Sequence, residues 1–256
     1  MADRFRVRGS VRSAVVWQSV RTALAGLCVD VGRSQLDILD AGGGTGGFAV
    51  PLAVLGHRIT VVDASPDSLA ALERRAAEAD VTELVNGVQG DAARLSDVAG
   101  QHAFDFVVCH SILEIVEDPA AVLAAVATAL RPGGLTSLLV ANRVAAVVHR
   151  AAAGRFDEAL RALNDPLGRY GPNDPVPRRF ALAEVHELVA QASLSVVASH
   201  GSRVFADVVP GGLFDADPQS VDALIALELQ AAEVPALREI ATQLHVLARK
   251  ELMTQP

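Results

Sequence analysis

Apolar residues near the beginning of the chain recur every three or four positions, which is the spacing of one helix face. This pattern predicts an amphipathic helix over residues 11–28 that packs against a core. The residues that form its apolar face are Val11, Val15, Val16, Val20, Leu24 and Leu27.

Short apolar runs then alternate with helical stretches as far as residue 141. The runs predict strands at residues 36–39, 58–62, 82–88, 104–110 and 135–141. The helical stretches are one that ends at Leu55, one from Pro66 to Ala79 with Ser65 as its N-cap, and one from Pro119 to Leu130. This alternation is typical of a parallel α/β sheet, and the apolar run at 104–110 suits a strand covered on both faces.

The regular alternation stops after Asn142. The remaining elements are predicted as helices at 143–163, 183–192 and 219–232, a loop at 164–179, and strands at 194–205 and 245–249. We therefore expect a doubly wound, seven-stranded Rossmann-like sheet in a single domain, 1–256. Its expected parts are a cap helix (1–30), a core (36–142), a substrate-recognition insertion after strand 5 (143–180) and a C-terminal completion of the sheet (181–256).

Composition narrows the class of protein. The chain has 256 residues and a formal net charge of −8, so it is not expected to bind polyanions in general. Cys28 and Cys109 are its two cysteines, which excludes a disulfide framework and fits the cytoplasm. We expect no secretory leader, no membrane span and no metal site.

A glycine-rich segment directly follows the first predicted strand, and two motifs overlap in it. Gly42, Gly44 and Gly47 fit G-x-G-x-x-G, the pattern of dinucleotide sites. Asp40, Gly42, Gly44 and Gly46 fit the acidic-x-G-x-G-x-G pattern, which is similar to that of S-adenosylmethionine (SAM) methyltransferases. The glycines alone do not decide between the two ligands.

The charge of Asp40 favours SAM over NAD. A dinucleotide would place its pyrophosphate on the N-terminus of the next helix, where a nearby carboxylate would repel it. SAM has no phosphate, and its amino-acid end carries an ammonium and a carboxylate. A carboxylate at the strand end can anchor the ammonium, directly or through water, while glycine amides meet the carboxylate.

Two further carboxylates follow later strands. Asp63 ends the second strand and can accept both ribose hydroxyls of SAM or of NAD. Asp91 follows the third strand, where the methyltransferase pattern places a carboxylate that receives the adenine amino group. Ala64 and Ala92, which follow these two carboxylates, complete the predicted cofactor site. The Arg-Pro-Gly-Gly phrase at 131–134 is predicted to turn a helix into a strand without touching ligand.

Nearly the full chain resembles the bacterial tRNA 5-carboxymethoxyuridine methyltransferases, which methylate the carboxyl group on a wobble uridine. The resemblance rests on these phrases: Arg12 with Val15-Val16-Trp17-Gln18, Leu39 to Gly44, His110-Ser-Ile-Leu113-Glu114 with Asp118-Pro119, Gly154-Arg-Phe156-Asp157, Asp174-Pro175, Arg203-Val204-Phe205, Leu227-Glu228, and His245 to Lys250. Several lie outside the general SAM motifs.

The resemblance implies that Arg12 and His110 touch the cofactor. The guanidinium of Arg12 could pair with the carboxylate of SAM. His110 ends the fourth strand at the mouth of the sheet, where it would shape the cofactor pocket. A catalytic base is not needed, because a carboxylate acceptor is already ionised at pH 7. Arg203 and Arg143 are candidates for holding that acceptor.

The acceptor implied by the resemblance is the anticodon loop of tRNA, which requires a basic surface. Arginines that could supply it are at positions 4, 6, 8, 12, 143, 150, 155, 161, 169, 178 and 179. Two alternatives stay open: an O- or N-methyltransferase of a small molecule, and a protein that binds SAM without catalysis. Arginines gathered on one face would favour RNA, whereas scattered arginines would favour a small acceptor.

Overall fold

The computed structural model describes residues 2–95, 100–210 and 218–252. The helices are α1 (Ala2–Val31), α2 (Ala49–Val54), α3 (Pro66–Glu78), α4 (Pro119–Ala129), α5 (Arg143–Ala152), α6 (Phe156–Asn164), α7 (Leu182–Gln191), α8 (Pro218–Ala231) and α9 (Pro235–Arg238). The strands are β1 (Asp37–Ala41), β2 (Arg58–Asp63), β3 (Val85–Gln89), β4 (Phe104–His110), β5 (Leu130–Ala141), β6 (Leu194–Ser202) and β7 (Gln243–Lys250).

The described strands form one seven-stranded mixed sheet in the order β3-β2-β1-β4-β5-β7-β6. Strand β1 pairs in parallel with β2 and β4, and β2 pairs in parallel with β3. Helices flank the sheet, so the predicted doubly wound Rossmann-like class is confirmed.

The chain divides into two compact units. The first comprises residues 1–21, 139–185 and 198–246, and the second comprises residues 22–138, 186–197 and 247–256. Helices α5 and α6 follow β5 in the first unit, at the place of the predicted insertion. The four-part division of a single domain, and the recognition role of residues 143–180, remain predictions.

Helix α1 begins at Ala2, nine residues before the predicted start, and buries the predicted apolar face. Val11, Val16 and Val20 are each at most 2% exposed. By length and composition alone, its segment Val11–Val31 also meets the requirements of a membrane span, the one such helix among the described residues. Core helices of globular proteins meet the same requirements.

Several boundaries differ from the sequence-based expectation. The predicted helix at 143–163 is two helices, α5 and α6, and the predicted strand at 194–205 ends at Ser202. Residues Thr82–Leu84 form a 3₁₀ turn, so β3 begins only at Val85. The predicted start of β5 at residue 135 is wrong, because the strand already begins at Leu130 and contains residues 131–134. Arg131 precedes a proline, which disfavours helical backbone, so the chain becomes extended directly after α4.

A network of charges joins the first residues of four neighbouring strands in the second unit. Arg131 of β5 lies 2.8 Å from Asp105 of β4 and 3.0 Å from Asp37 of β1. Arg58 of β2 lies 2.8 Å from Asp37, and Arg33 also pairs with Asp105, which is 2% exposed. The two carboxylates thus share Arg33 and Arg131, Arg58 adds a third partner to Asp37, and the pairs tie the strand starts to one another. This is the role of Arg131, for which the sequence alone predicts only a place in a turn.

Asp37 makes this network sensitive to acid. Burial acts to raise the pKa of Asp37, but hydrogen bonds from Arg58, Arg131 and Arg33 outweigh it and lower the pKa to about 2. The carboxylate is therefore stabilising above about pH 4, and this contribution is lost as the pH falls towards 2.

We predict that Asp37→Asn lowers the free energy of unfolding at pH 7 by about 2 kcal/mol. The deficit should shrink as the pH falls from 4 to 2, because the wild-type carboxylate is then protonated. Urea unfolding at several pH values measures both effects, with exposed Glu73→Gln of α3 as the control. A deficit that is constant down to pH 2 would contradict the prediction.

Candidate functional site

The strand order reverses between β1 and β4, and in open α/β sheets ligands bind beyond the carboxyl ends of the strands at such a point. Three predicted residues lie at these strand ends in the second unit. Asp40 is the last residue but one of β1, Asp63 ends β2 and His110 ends β4. The fold therefore brings these predicted cofactor residues to one edge of the sheet.

The glycine segment forms a tight loop between β1 and α2. Gly42, Gly44 and Gly46 have φ angles of +68°, +55° and +82°, in the region that favours glycine. A Cβ atom on Gly42 would lie 2.0 Å from Ile112 Cδ1, and one on Gly46 would lie 2.4 Å from Leu72 Cδ1. Both backbone conformation and packing therefore require glycine at these two positions.

Gly47 separates the two overlapping motifs. Its backbone is not in the left-handed region, and nothing lies within 4 Å of the place of a Cβ atom. The dinucleotide pattern counts Gly47 as its third glycine, whereas the SAM pattern counts Gly46. The structure requires the glycine of the SAM pattern and leaves the other replaceable, which supports the predicted cofactor.

Asp40 lies beneath this loop and is only 3% exposed. A Cβ atom on Gly43 would come within 2.5 Å of the Asp40 carboxylate, so the bare backbone at Gly43 lets the loop pass directly over it. Sequence reasoning missed Gly43 because it occupies a variable position of the motif. Burial, and then the charge of Asp63, raise the pKa of Asp40 to about 7. A carboxylate in this state binds a cation favourably, and an ammonium fits the requirement.

Asp63 is held in a fixed orientation by backbone amides. Its Oδ2 accepts a hydrogen bond from Gly44 N at 2.9 Å, and its Oδ1 accepts one from Ser65 N at 2.9 Å. Each carboxylate oxygen has a second lone pair that can accept a ribose hydroxyl. The glycine loop is thereby joined to the end of β2.

The third strand is attached to the same place. Gly90 N donates to the backbone oxygen of Asp63 at 3.1 Å, which positions the neighbouring Asp91 and Ala92. Asp91 is exposed, as is Ala64, whose carbonyl accepts a bond from Gln89 Nε2 at 3.4 Å. These residues border the predicted cofactor site from the β3 side.

His110 is packed as a neutral imidazole. Its ring stands edge-on to Phe48, with ring centroids 4.6 Å apart, and its Nε2 lies 2.7 Å from Ser137 Oγ. Burial lowers the pKa of His110 to about 3. The side chain therefore stays uncharged at physiological pH, which suits a shaping role. Cys109, beside it in β4, is also inert, because burial raises the pKa of its thiol to about 12.

Arg12 and Arg203 lie together in the first unit because both pair with Asp207. Arg12 Nη2 is 2.8 Å from Asp207 Oδ1, and Arg203 Nε is 2.9 Å from Asp207 Oδ2. Sequence reasoning named both arginines but missed Asp207. No motif marks it, and its four-residue spacing from Arg203 is the one signal that could have drawn attention to it.

Arg143 has a different environment. Its Nη2 donates to both carboxylate oxygens of Glu184, at 2.9 and 3.0 Å, and to the carbonyl of Pro166 at 2.8 Å. Its Cβ and Cγ also pack against Gly168. The guanidinium thus fastens the loop after α6 to α7, and its role towards the acceptor stays a prediction.

Most of the other arginines after β5 are also paired with acids. The ion pairs are Arg150 with Glu158, Arg155 with Glu158, Arg169 with Asp165, and Arg179 with Asp174. Arg150 also stacks on Tyr170, 3.7 Å from the ring centre. The side chains of Arg4, Arg6 and Arg8 lie outside the described part of the chain. Residues 143–180 contain seven arginines and four acidic residues, so internal ion pairs reduce the positive charge of this segment without cancelling it.

We predict that Gly46→Ala weakens SAM binding at least about tenfold and lowers the melting temperature, because the new methyl group would displace Leu72 and strain a positive φ. Gly47→Ala is the matched control and should behave as wild type. Calorimetric SAM titration and thermal unfolding measure both variants. Equal behaviour of the two would contradict the assignment of the third glycine.

We also predict that Asp40→Asn stabilises the ligand-free protein at pH 8 by about 2 kcal/mol while weakening SAM binding. The raised pKa means that wild-type Asp40 favours folding below about pH 4 and loses this contribution as the pH rises to about 7. Denaturant unfolding at pH 5 and pH 8 should show a larger advantage of the variant at pH 8. Parallel pH profiles would refute the buried-carboxylate argument.

Known proteins agree with this geometry. The profile of a family described as methyltransferase domain matches residues 39–138. The chain is 29% identical to the tRNA 5-carboxymethoxyuridine methyltransferase of Escherichia coli (strain K12) over 249 residues, which cover 95% of this chain and 89% of that protein. It is 35% identical to a ubiquinone biosynthesis O-methyltransferase of Xanthomonas axonopodis pv. citri, over 46% of this chain and 48% of that protein.

Solved structures share the fold. A SAM-dependent methyltransferase from Methanosarcina mazei superposes with a TM-score of 0.60 at 18% identity, covering 86% of this chain and 94% of that one. Magnesium protoporphyrin IX methyltransferase from Synechocystis, solved with bound S-adenosylhomocysteine, superposes with a TM-score of 0.61 at 15% identity, covering 97% and 94%. Together with the loop geometry and the matched domain, these findings identify the chain as a SAM-dependent methyltransferase with a Rossmann-like sheet, similar over nearly its whole length to the tRNA 5-carboxymethoxyuridine methyltransferases.

Proposed function

We propose that the protein transfers the methyl group of SAM to the carboxylate of 5-carboxymethoxyuridine at the wobble position of tRNA. The observation that carries this proposal is the extent of the similarity to the E. coli enzyme, which covers 95% of the chain. The similarity to the ubiquinone enzyme covers only 46%. Methyltransferases with different acceptors share a cofactor core, so similarity outside that core is what bears on the acceptor.

In this proposal the cofactor is held by residues of the second unit. Asp40 takes the ammonium, the amides of Gly42, Gly44 and Gly46 meet the carboxylate, and Asp63 accepts the ribose hydroxyls. The adenine site consists of Asp91 with Ala92, and Ala64 and His110 line the pocket. Arg12 belongs to the first unit, and its contact with SAM stays a prediction. Two observations support these roles: backbone amides fix the orientation of the Asp63 carboxylate, and burial raises the pKa of Asp40, so that its carboxylate favours a cationic partner.

The chemistry places few demands on the protein. When bound, SAM supplies a methyl group that is already activated by its sulfonium. The protein has to align the acceptor oxygen with that group and exclude water. A carboxylate acceptor needs no base, and the neutral His110 with its low pKa is consistent with that. Arg203 and Arg143 are the proposed cations that hold the acceptor in place.

A second candidate is methylation of an oxygen or nitrogen of a small molecule. It is favoured by the paired arginines after β5, since a guanidinium in an internal ion pair is less available to a phosphate. The match of the core to ubiquinone biosynthesis enzymes fits this candidate too. In either case we propose a cytoplasmic location, which suits an acidic chain with two free cysteines.

The decisive experiment supplies the purified protein with SAM and tRNA that carries 5-carboxymethoxyuridine. We predict that nucleoside mass spectrometry shows the methyl ester of that nucleoside. Asp63→Ala should abolish the product together with SAM binding, because the ribose loses its acceptor. The exposed Asp67→Asn in the neighbouring helix is the matched control. An active enzyme that methylates small acceptors but leaves this tRNA unchanged would favour the second candidate.

A further inference from the structure

The loop after β6 gathers two arginines around one carboxylate in the first unit. We propose that Arg203 holds the carboxylate of the methyl acceptor and that Asp207 is the positioning residue that aims it. This inference rests on the proposed function and assigns part of its substrate site.

The charge balance of the cluster leaves it able to accept one anion. Two guanidiniums, Arg12 and Arg203, face the single carboxylate of Asp207, so the cluster carries one net positive charge. Arg203 is 23% exposed and Asp207 only 12%, so the arginine is reachable while its partner is mostly covered. Arg12 is 49% exposed, so the cluster is open to solvent on that side. Its one excess positive charge suits a monoanion such as a carboxylate.

The hydrogen-bond donors of Arg203 show where that anion would bind. Its Nη2 donates to Asp207 Oδ1 at 3.1 Å, and its Nη1 donates to Gln243 Oε1 at 3.2 Å. A guanidinium has two N–H bonds on each terminal nitrogen. Among the described residues, one N–H on each of these nitrogens therefore remains for a ligand. Two such donors match the two oxygens of a carboxylate.

The backbone holds Arg203 in a conformation that a non-glycine residue rarely adopts. Its φ is +65°, and its carbonyl accepts bonds from Thr242 N at 3.3 Å and Thr242 Oγ1 at 3.2 Å. Strained residues of this kind persist where the surrounding structure fixes them, and they concentrate at functional sites. Here the strain turns the chain at the end of β6.

A buried carboxylate fixes the rest of the loop. Glu228 of α8 is fully buried, and it accepts hydrogen bonds from the amides of Val204, Phe205 and Ala206 at 2.9, 2.8 and 2.6 Å. Three consecutive amides are thereby tied to one side chain. Asp207, the next residue, is placed so that it can reach both arginines. The preorganised loop thus presents the arginine without an ordering cost on binding.

The test compares Asp207→Asn with wild type on two tRNAs that differ only in the wobble uridine, one with and one without the carboxymethoxy group. We expect the KM for the carboxylated tRNA to rise about tenfold with little change in kcat, because a ground-state contact is lost. The preference of the wild type for binding the carboxylated tRNA should disappear. Asp207→Glu, which restores the charge, should recover part of it.

The controls distinguish failure of the role proposed for Asp207 from failure of the proposed function. Asp222→Asn, an exposed change in α8, should behave as wild type, and SAM affinity should be unchanged in every variant. If the wild type does not methylate the carboxylated tRNA, the proposed function fails and this inference fails with it. If the wild type is active and Asp207→Asn keeps its KM and its preference, or instead loses SAM binding, only this inference is overturned.

Discussion

The site depends on one close approach, in which a glycine loop crosses directly over a buried carboxylate. Asp40 is desolvated because the backbone at Gly43 lies against it and leaves no space for a side chain. The same loop is fastened to Asp63 through the amide of Gly44. Two carboxylates are therefore brought near each other by backbone contacts rather than by their own attraction. The fold bears this electrostatic cost at the edge where a cationic ligand group can compensate it.

The carboxylates at the two ends of the strands have opposite electrostatic surroundings. At the strand starts, Asp37 pairs with Arg33, Arg58 and Arg131, and Asp105 pairs with Arg33 and Arg131. At the strand ends, burial and the charge of Asp63 raise the pKa of Asp40. The first arrangement stabilises the sheet, and the second prepares it for a ligand. The ion pairs that stabilise the sheet and the carboxylates of the cofactor site therefore lie at opposite ends of the same strands.

Much of this could be predicted from periodicity and local motifs. The β4 strand was predicted with its observed bounds, and Ser65 caps α3 as expected, because each feature depends on residues close in sequence. The start of β5 was missed, because a Pro-Gly-Gly phrase indicates a turn before a strand, whereas here the phrase lies within the strand that begins at Leu130. Asp207 was missed, and the roles of Glu228 and Gly43 were not assigned, for a related reason. Each acts through a contact that no local pattern reveals.

The position of Asp40 has a consequence for turnover. In the proposed arrangement it holds the ammonium of the cofactor, a group that methyl transfer leaves unchanged. S-adenosylhomocysteine keeps that ammonium, so this contact stabilises bound S-adenosylhomocysteine as well as bound SAM. It therefore contributes nothing to selectivity between the two. An enzyme anchored in this way is subject to inhibition by its own product. Its steady-state rate would then depend on the ratio of the SAM concentration to the S-adenosylhomocysteine concentration, and on the reaction that removes S-adenosylhomocysteine.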